Sequence, residues 1–133
     1  MSKISGPLMD RIDIQVDVPA VPYKELATAR PAESSETIRA RVIQTRQVQH
    51  RRFADEHIYT NSQMGPRHLR KYCSLTPEGE KIMENAVTKL GFSARGYDRI
   101  LKVARTIADL EQEEKVKAEH LAEAFSYRLK EEV

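Results

Sequence analysis

The clearest pattern of apolar and polar positions lies between Ser93 and Leu110. Tyr97, Ile100, Leu101, Ala104, Ile107 and Ala108 recur there at helical spacing and line about a third of a helix surface. Ser93 can cap the first turn by accepting a backbone N–H, and Gly91 suits a left-handed residue that closes the helix before it. That earlier helix starts as sharply, at Thr76-Pro77-Glu78, a cap followed by a first-turn proline and an acid. Its stripe of Ile82, Met83, Ala86, Val87 and Leu90 runs up to Gly91, so the two helices should pack as an antiparallel or angled pair across a very short turn. A longer helix begins near Ser34 or Ser35, with Glu33 and Glu36 at the end that favours acids. Ile38, Val42, Thr45, Gln49 and Phe53 mark its inward face. Residues 54–64 read as loop and Gly65-Pro66 as a turn, followed by a short helix over 67–73 with Leu69 and Tyr72 inward. A last helix follows the polar connection 111–115, with Ala118, Leu121, Ala122 and Phe125 inward, and frays from Lys130.

The first 22 residues obey a different period. Ile12, Ile14, Val16 and Val18 alternate with Asp13, Gln15 and Asp17, the pattern of a strand, and Pro19 and Pro22 end it. No second strand pattern is visible, and a lone strand leaves backbone groups unpaired on both edges. Its partners are expected upstream of Met1 or in another copy of the chain, with disorder as the third possibility; residues 12–18 should be unpaired, misplaced or paired with a second copy. The expected fold is all-α, a helical bundle of four main helices and a short one over residues 34–133. A linker over 23–33 joins it to the turn and single N-terminal strand of residues 1–22.

Composition narrows the class. The 133 residues are enough for one domain or a piece of one; 32% are charged and 6% aromatic, with no Trp, which suits a core of Leu, Ile, Val, Ala and Met. Twenty-two basic against 20 acidic residues leave a net charge of +2, too balanced to imply nucleic-acid binding by itself. The one cysteine, Cys73, cannot form an internal disulfide and points to a reducing, cytoplasmic setting. It reads as a small buried apolar residue, because nothing near it in sequence would activate a thiolate. No apolar run is long enough for a membrane span, and no signal-peptide pattern opens the chain. The histidines are scattered, without metal-ligand spacing. There is no glycine-rich phosphate loop of the GxxxxGKS/T kind and no Ser/His/Asp or Cys/His arrangement, so the chain taken alone does not read as a catalyst.

Two arginines and one basic helix remain. Arg95 sits in the first turn of the Ser93 helix, where the helix dipole repels a cation at a cost of ~0.3–1 kcal/mol. Both the guanidinium and the helix end would be served by an anion such as a phosphate; the bland alternative is a solvated side chain. Arg11 stands just before the strand, flanked by Asp10 and Asp13. The helix from Ser34 carries Arg39, Arg41, Arg46, His50, Arg51 and Arg52, of which Arg46, Arg51 and Arg52 are the candidates for a nucleic-acid contact. No aromatic residue interleaves with them in sequence, and a solvated helix face is the competing account.

The stretches ISGPLMDRIDIQVDVPAVPY, SSETIRARV, LGFSARGYDRILKVARTIADL and HLAEAFSYR resemble the C-terminal part of the magnesium-chelatase-like AAA+ ATPases of the ComM (YifB) type. The resemblance covers nearly the whole chain. It implies that residues 1–22 are the end of an α/β ATPase core, whose upstream part with both Walker motifs is missing, and that the helices form the lid. It further implies that Arg11 is an arginine finger reaching the γ-phosphate on a neighbouring subunit, and that Arg95 is the second sensor arginine, touching the nucleotide from the lid. ATP and Mg2+ are then cofactors of the complete protein, none being expected for this fragment. Its partners would be its own upstream core, neighbouring subunits of a hexameric ring and DNA, with no membrane contact. The work would be DNA remodelling, linked to natural transformation and branch migration. The alternatives are a stand-alone helical module binding DNA or protein, and the ATPase subunit of a metal chelatase.

Overall fold

A computed structural model describes residues 12–16 and 32–128. The described residues form five α-helices: α1 Ser35–Arg52, α2 Pro66–Tyr72, α3 Pro77–Leu90, α4 Ala94–Leu110 and α5 Ala118–Ser126, with a 3-10 turn at Asn61–Gln63. This is the expected all-α bundle of four main helices and a short one. Local chemistry sets the helix ends. Ser34, Thr76 and Ser93 each cap a helix, accepting the N–H of Thr37, Gly79 and Gly96 at 3.1 Å in every case. α3 stops at Gly91, whose φ of 62° lies in the left-handed region. A Cβ there would meet nothing within 4 Å, so Gly91→Ala is charged for backbone strain alone. We expect it to lower stability by about 1–2 kcal/mol in urea unfolding.

Two helix starts that lack a hydroxyl cap use histidine instead. Gly65 N–H donates to His68 Nδ1 at 3.0 Å, and Lys117 N–H donates to His120 Nδ1 at 2.9 Å. In each case the imidazole reaches back from the third position of its helix to an otherwise orphaned donor. His120 is fully buried. Its Nδ1 is an acceptor, so the proton sits on Nε2 and is donated to the Glu111 carboxylate at 2.8 Å.

α4 is the hub. It packs against α1, the 3-10 turn, α2 and α5, while α3 packs against α5. Ile100, Leu101, Ala104, Ile107 and Ala108 are buried, with Phe53, Met64, Leu69, Met83, Val116, Leu121 and Ala124 around them. Ala104 and Ala108 carry no exposed surface, small side chains letting neighbours come close. Leu75 and Val116 form an isolated parallel bridge, so the segments leading into α3 and α5 enter the bundle side by side. Among the described residues no helix is long and apolar enough to cross a membrane.

Several expected positions are corrected. On α1 only the C-terminal half of the stripe is covered: Thr45, Gln49 and Phe53 are buried, whereas Ile38 and Val42 are 42% and 41% exposed. The helix is longer than the part of the bundle beneath it, so its first turns stand clear of the other described residues. Leu90 and Tyr97 lie at the rim and stay exposed, and on α5 the buried alanine is Ala124 while Ala122 faces out. Residues 12–16 form no strand. Gln15 is the buried residue among them, its N–H donating to the Tyr127 carbonyl, while Ile14 and Val16 face outward. Among the described residues no sheet edge lies beside it, so the apolar face of this segment has no ladder to join there. Residues 17 and 18 of the expected strand, most of the linker and the tail from Leu129 lie outside the described residues.

Cys73 is buried in the core, and burial pushes its thiol up to about 11. Thiol reagents should therefore modify it only as fast as the bundle opens. The native state holds this proton more tightly than the unfolded chain, whose thiol titrates near ~8.5. The resulting stabilisation is complete below that pH and is lost as pH rises toward 11. Urea titrations across that window should show a decline that Cys73→Ala makes shallower.

Candidate functional site

The N-terminal end of α4 brings together three arginines, Arg95, Arg99 and Arg128, and two stacked aromatic rings. Phe92, between Gly91 and the cap, stacks on Phe125 of α5 with centroids 5.7 Å apart and planes 14° apart. The Arg128 guanidinium lies 5.8 Å from the centre of the same Phe92 ring. α5 and the residues after it thereby clamp the entrance of α4. Ser93 Oγ takes the Gly96 N–H, and one turn further on Arg99 forms an ion pair with Asp13. The Arg99 Nε is buried with no hydrogen-bond partner among the described residues.

Arg95 projects from this end. It is exposed and has no ion pair or hydrogen bond among the described residues. Asp98, three residues on, does not reach it, and the nearest descending cation, Arg99, is occupied by Asp13. The helix therefore carries an exposed five-donor guanidinium in its first turn, at its own positive end. That arrangement can take an anion with several oxygens. Arg11 lies outside the described residues.

The basic helix divides. Arg46 and Arg51 are exposed and have no ion pair or hydrogen bond among the described residues, and Arg39 is like them. Arg52 is a correction to the nucleic-acid set. It turns inward and grips Asp109 with both terminal nitrogens, at 2.9 and 2.5 Å. Asp109 is buried and also pairs with Arg105 at 3.2 Å. Asn61 donates to Asp109 at 2.9 Å and to Thr106 Oγ1 at 3.0 Å, and accepts from Arg52 at 3.1 Å. The terminal nitrogens of Arg105 also donate to the carbonyls of Tyr72, Glu113 and Glu114, while its Nε is buried without a hydrogen-bond partner among the described residues. Burial pulls Arg105 below its usual range, and the Asp109 carboxylate opposes that shift. This network fastens α1, the 3-10 turn, the end of α2 and the loop after α4 to one point, and is structural. Sequence reasoning missed it, although Leu101, Arg105 and Asp109 form a single row at four-residue spacing that runs from apolar into charged.

The structure supplies an aromatic neighbour that the sequence did not show beside the basic residues. Tyr59, 66% exposed, meets the His50 ring edge-on with centroids 6.3 Å apart. An open groove of about 700 Å³ lies between α2, α3 and α4, lined by Leu69, Cys73, Met83, Val87 and Leu101 and reaching Tyr97 and Asp98 near the start of α4; it is largely apolar, and Arg95 is not among its lining residues. Glu111, Glu119 and His120 bring ligand-type atoms within 4.8 Å of one another. Both His120 nitrogens are already engaged there, in the helix cap and on Glu111.

Residues 32–128 match the family model described as magnesium chelatase, subunit ChlI C-terminal, and residues 1–26 match that of magnesium chelatase, subunit ChlI. Over 129 residues, or 96% of the chain, the sequence is 39% identical to the competence protein ComM of Haemophilus influenzae. It is 38% and 37% identical over the same length to the YifB proteins of Salmonella typhimurium and Escherichia coli. The chain spans about a quarter of the length of these relatives, 25% in each case.

Proposed function

The chain belongs to the magnesium chelatase subunit ChlI C-terminal family, and from that membership we propose that it is the helical lid of an AAA+ ATPase. The observation that carries the reading is Arg95, an exposed guanidinium without a described partner in the first turn of a capped helix. In this reading Arg95 is the second sensor, binding a phosphate oxygen of ATP held by the upstream core. ATP with Mg2+ supplies the phosphoryl group; Arg95 orients it, holds charge opposite it and couples lid position to its presence. The Phe92–Phe125 stack and the Arg99–Asp13 pair fix the helix end from which Arg95 reaches. Arg11 is the arginine finger, serving the nucleotide of the neighbouring subunit in a hexameric ring. The name of the Haemophilus relative, a competence protein, supports DNA as the substrate of the motor. Remodelling of DNA, including branch migration, is the corresponding activity. The family's name also raises metal chelation, the alternative activity for the full-length protein.

The test is ATP turnover by the full-length protein carrying Arg95→Ala. A fall of about tenfold or more is expected; unchanged turnover rejects the assignment. Arg11→Ala should do the same, and mixing it with a subunit that binds ATP but lacks its own base should reveal whether the arginine acts across the interface.

A further inference from the structure

One side of α1 is left uncovered by the described residues. At 3.6 residues per turn, Arg39, Ile43, Arg46 and His50 fall in one row along its exposed side, spanning about 16 Å. All four are exposed. Arg39 and Arg46 have no carboxylate or other polar partner among the described residues, in contrast to Arg41, held by Glu33, and Arg52, held by Asp109. Cations in the last turn of a helix answer its dipole, but Arg39 and Arg46 lie outside that turn and have no such explanation. The row ends at Tyr59, whose largely exposed ring stands edge-on to His50. Unneutralised arginines followed by a largely exposed aromatic ring suit a chain of phosphates with bases that can stack. An acidic protein surface would use the arginines but leave the ring unexplained.

We propose that this row, Arg39, Arg46 and His50 with Tyr59 at its end, binds single-stranded nucleic acid, the arginines on phosphates and the Tyr59 ring against a base. The inference rests on the reading of the full-length protein as a DNA motor and names the surface by which the lid touches the strand. Arg51 projects roughly 120° away around the helix and takes no part.

The test is fluorescence anisotropy of labelled oligothymidylate titrated with the 133-residue chain, without nucleotide, over a range of salt. Binding at low salt should weaken steeply as salt rises. Arg39→Ala with Arg46→Ala should make the logarithmic salt slope shallower by about 1.4, roughly 0.7 per lost phosphate contact. Tyr59→Ala should weaken binding about fivefold or more, and Arg51→Ala should leave it unchanged. These positions are exposed, and circular dichroism checks that each variant keeps its helices. Absence of binding at low salt overturns the proposal. So does an Arg51→Ala effect equal to that of Arg46→Ala, which would mean diffuse attraction without a site. Equal binding of polyglutamate, or indifference to Tyr59→Ala, would reassign the row to an acidic protein partner. ATP plays no part in this measurement, so its failure leaves the Arg95 assignment standing, and failure of that assignment appears in turnover alone.

Discussion

Asp109→Ala is expected to destabilise the bundle by about 3–5 kcal/mol, the cost of leaving a buried charge without its counterion. Two guanidiniums depend on this one carboxylate. Arg52 forks onto it, and Arg105, almost fully buried, pairs with it from the preceding turn. Asn61 would lose an acceptor as well. A domain of this size has a total stability of roughly 5–15 kcal/mol, so the variant should sit near the edge of folding at 37 °C. Urea unfolding followed by circular dichroism reads the shift in midpoint. A companion variant separates charge from shape. Changing Arg52 and Arg105 to Met together with Asp109→Leu removes all three charges, and should recover much of the loss, because burying ions is itself costly. If Asp109→Ala shifted the midpoint by less than about 1 kcal/mol, the network would be ornament on an apolar core.

The contrast between what the sequence announced and what it concealed follows the range of the interactions involved. Ser34, Thr76, Ser93 and Gly91 act within three or four residues, so their chemistry is written beside the element they terminate, and each does what its type and position require. The stripe of α4 was legible for the same reason, and its central place in the bundle follows from having apolar neighbours on more than one side. Arg52 and Asp109 are 57 residues apart. Nothing local distinguishes an arginine that will meet a buried carboxylate from one that will meet water, so Arg46, Arg51 and Arg52 look alike in the sequence. The surface row on α1 was half legible. The sequence shows its cations among the basic residues of the helix but singles out Arg46 with Arg51 and Arg52, and Tyr59 reaches His50 only because the chain turns back after α1. The inward stripe of α1 was overextended because periodicity reports which face is apolar and is silent about how far along the helix a neighbour extends.

The same limit bears on Arg95, whose position was legible while its partner was not. Replacing it should move activity and stability in opposite directions. Arg95→Ala removes a cation from the positive end of α4, so the bundle should be unchanged or firmer by about 0.3–1 kcal/mol. If Arg95 is the sensor proposed above, the same change in the full-length protein removes a charge-assisted hydrogen bond to the nucleotide, worth about 1.5–3 kcal/mol, which corresponds to roughly ten- to a hundredfold in turnover. Arg95→Lys keeps the charge and loses the planar fork, so it should fall between the two. Arg95→Glu suits the helix end best and the triphosphate worst; it should be the most stable of the set and the least active. A structural arginine would give the reverse order, losing turnover only in proportion to lost stability. Thermal unfolding of the lid and ATP turnover of the full-length protein, measured on the same four proteins, decide between the two patterns.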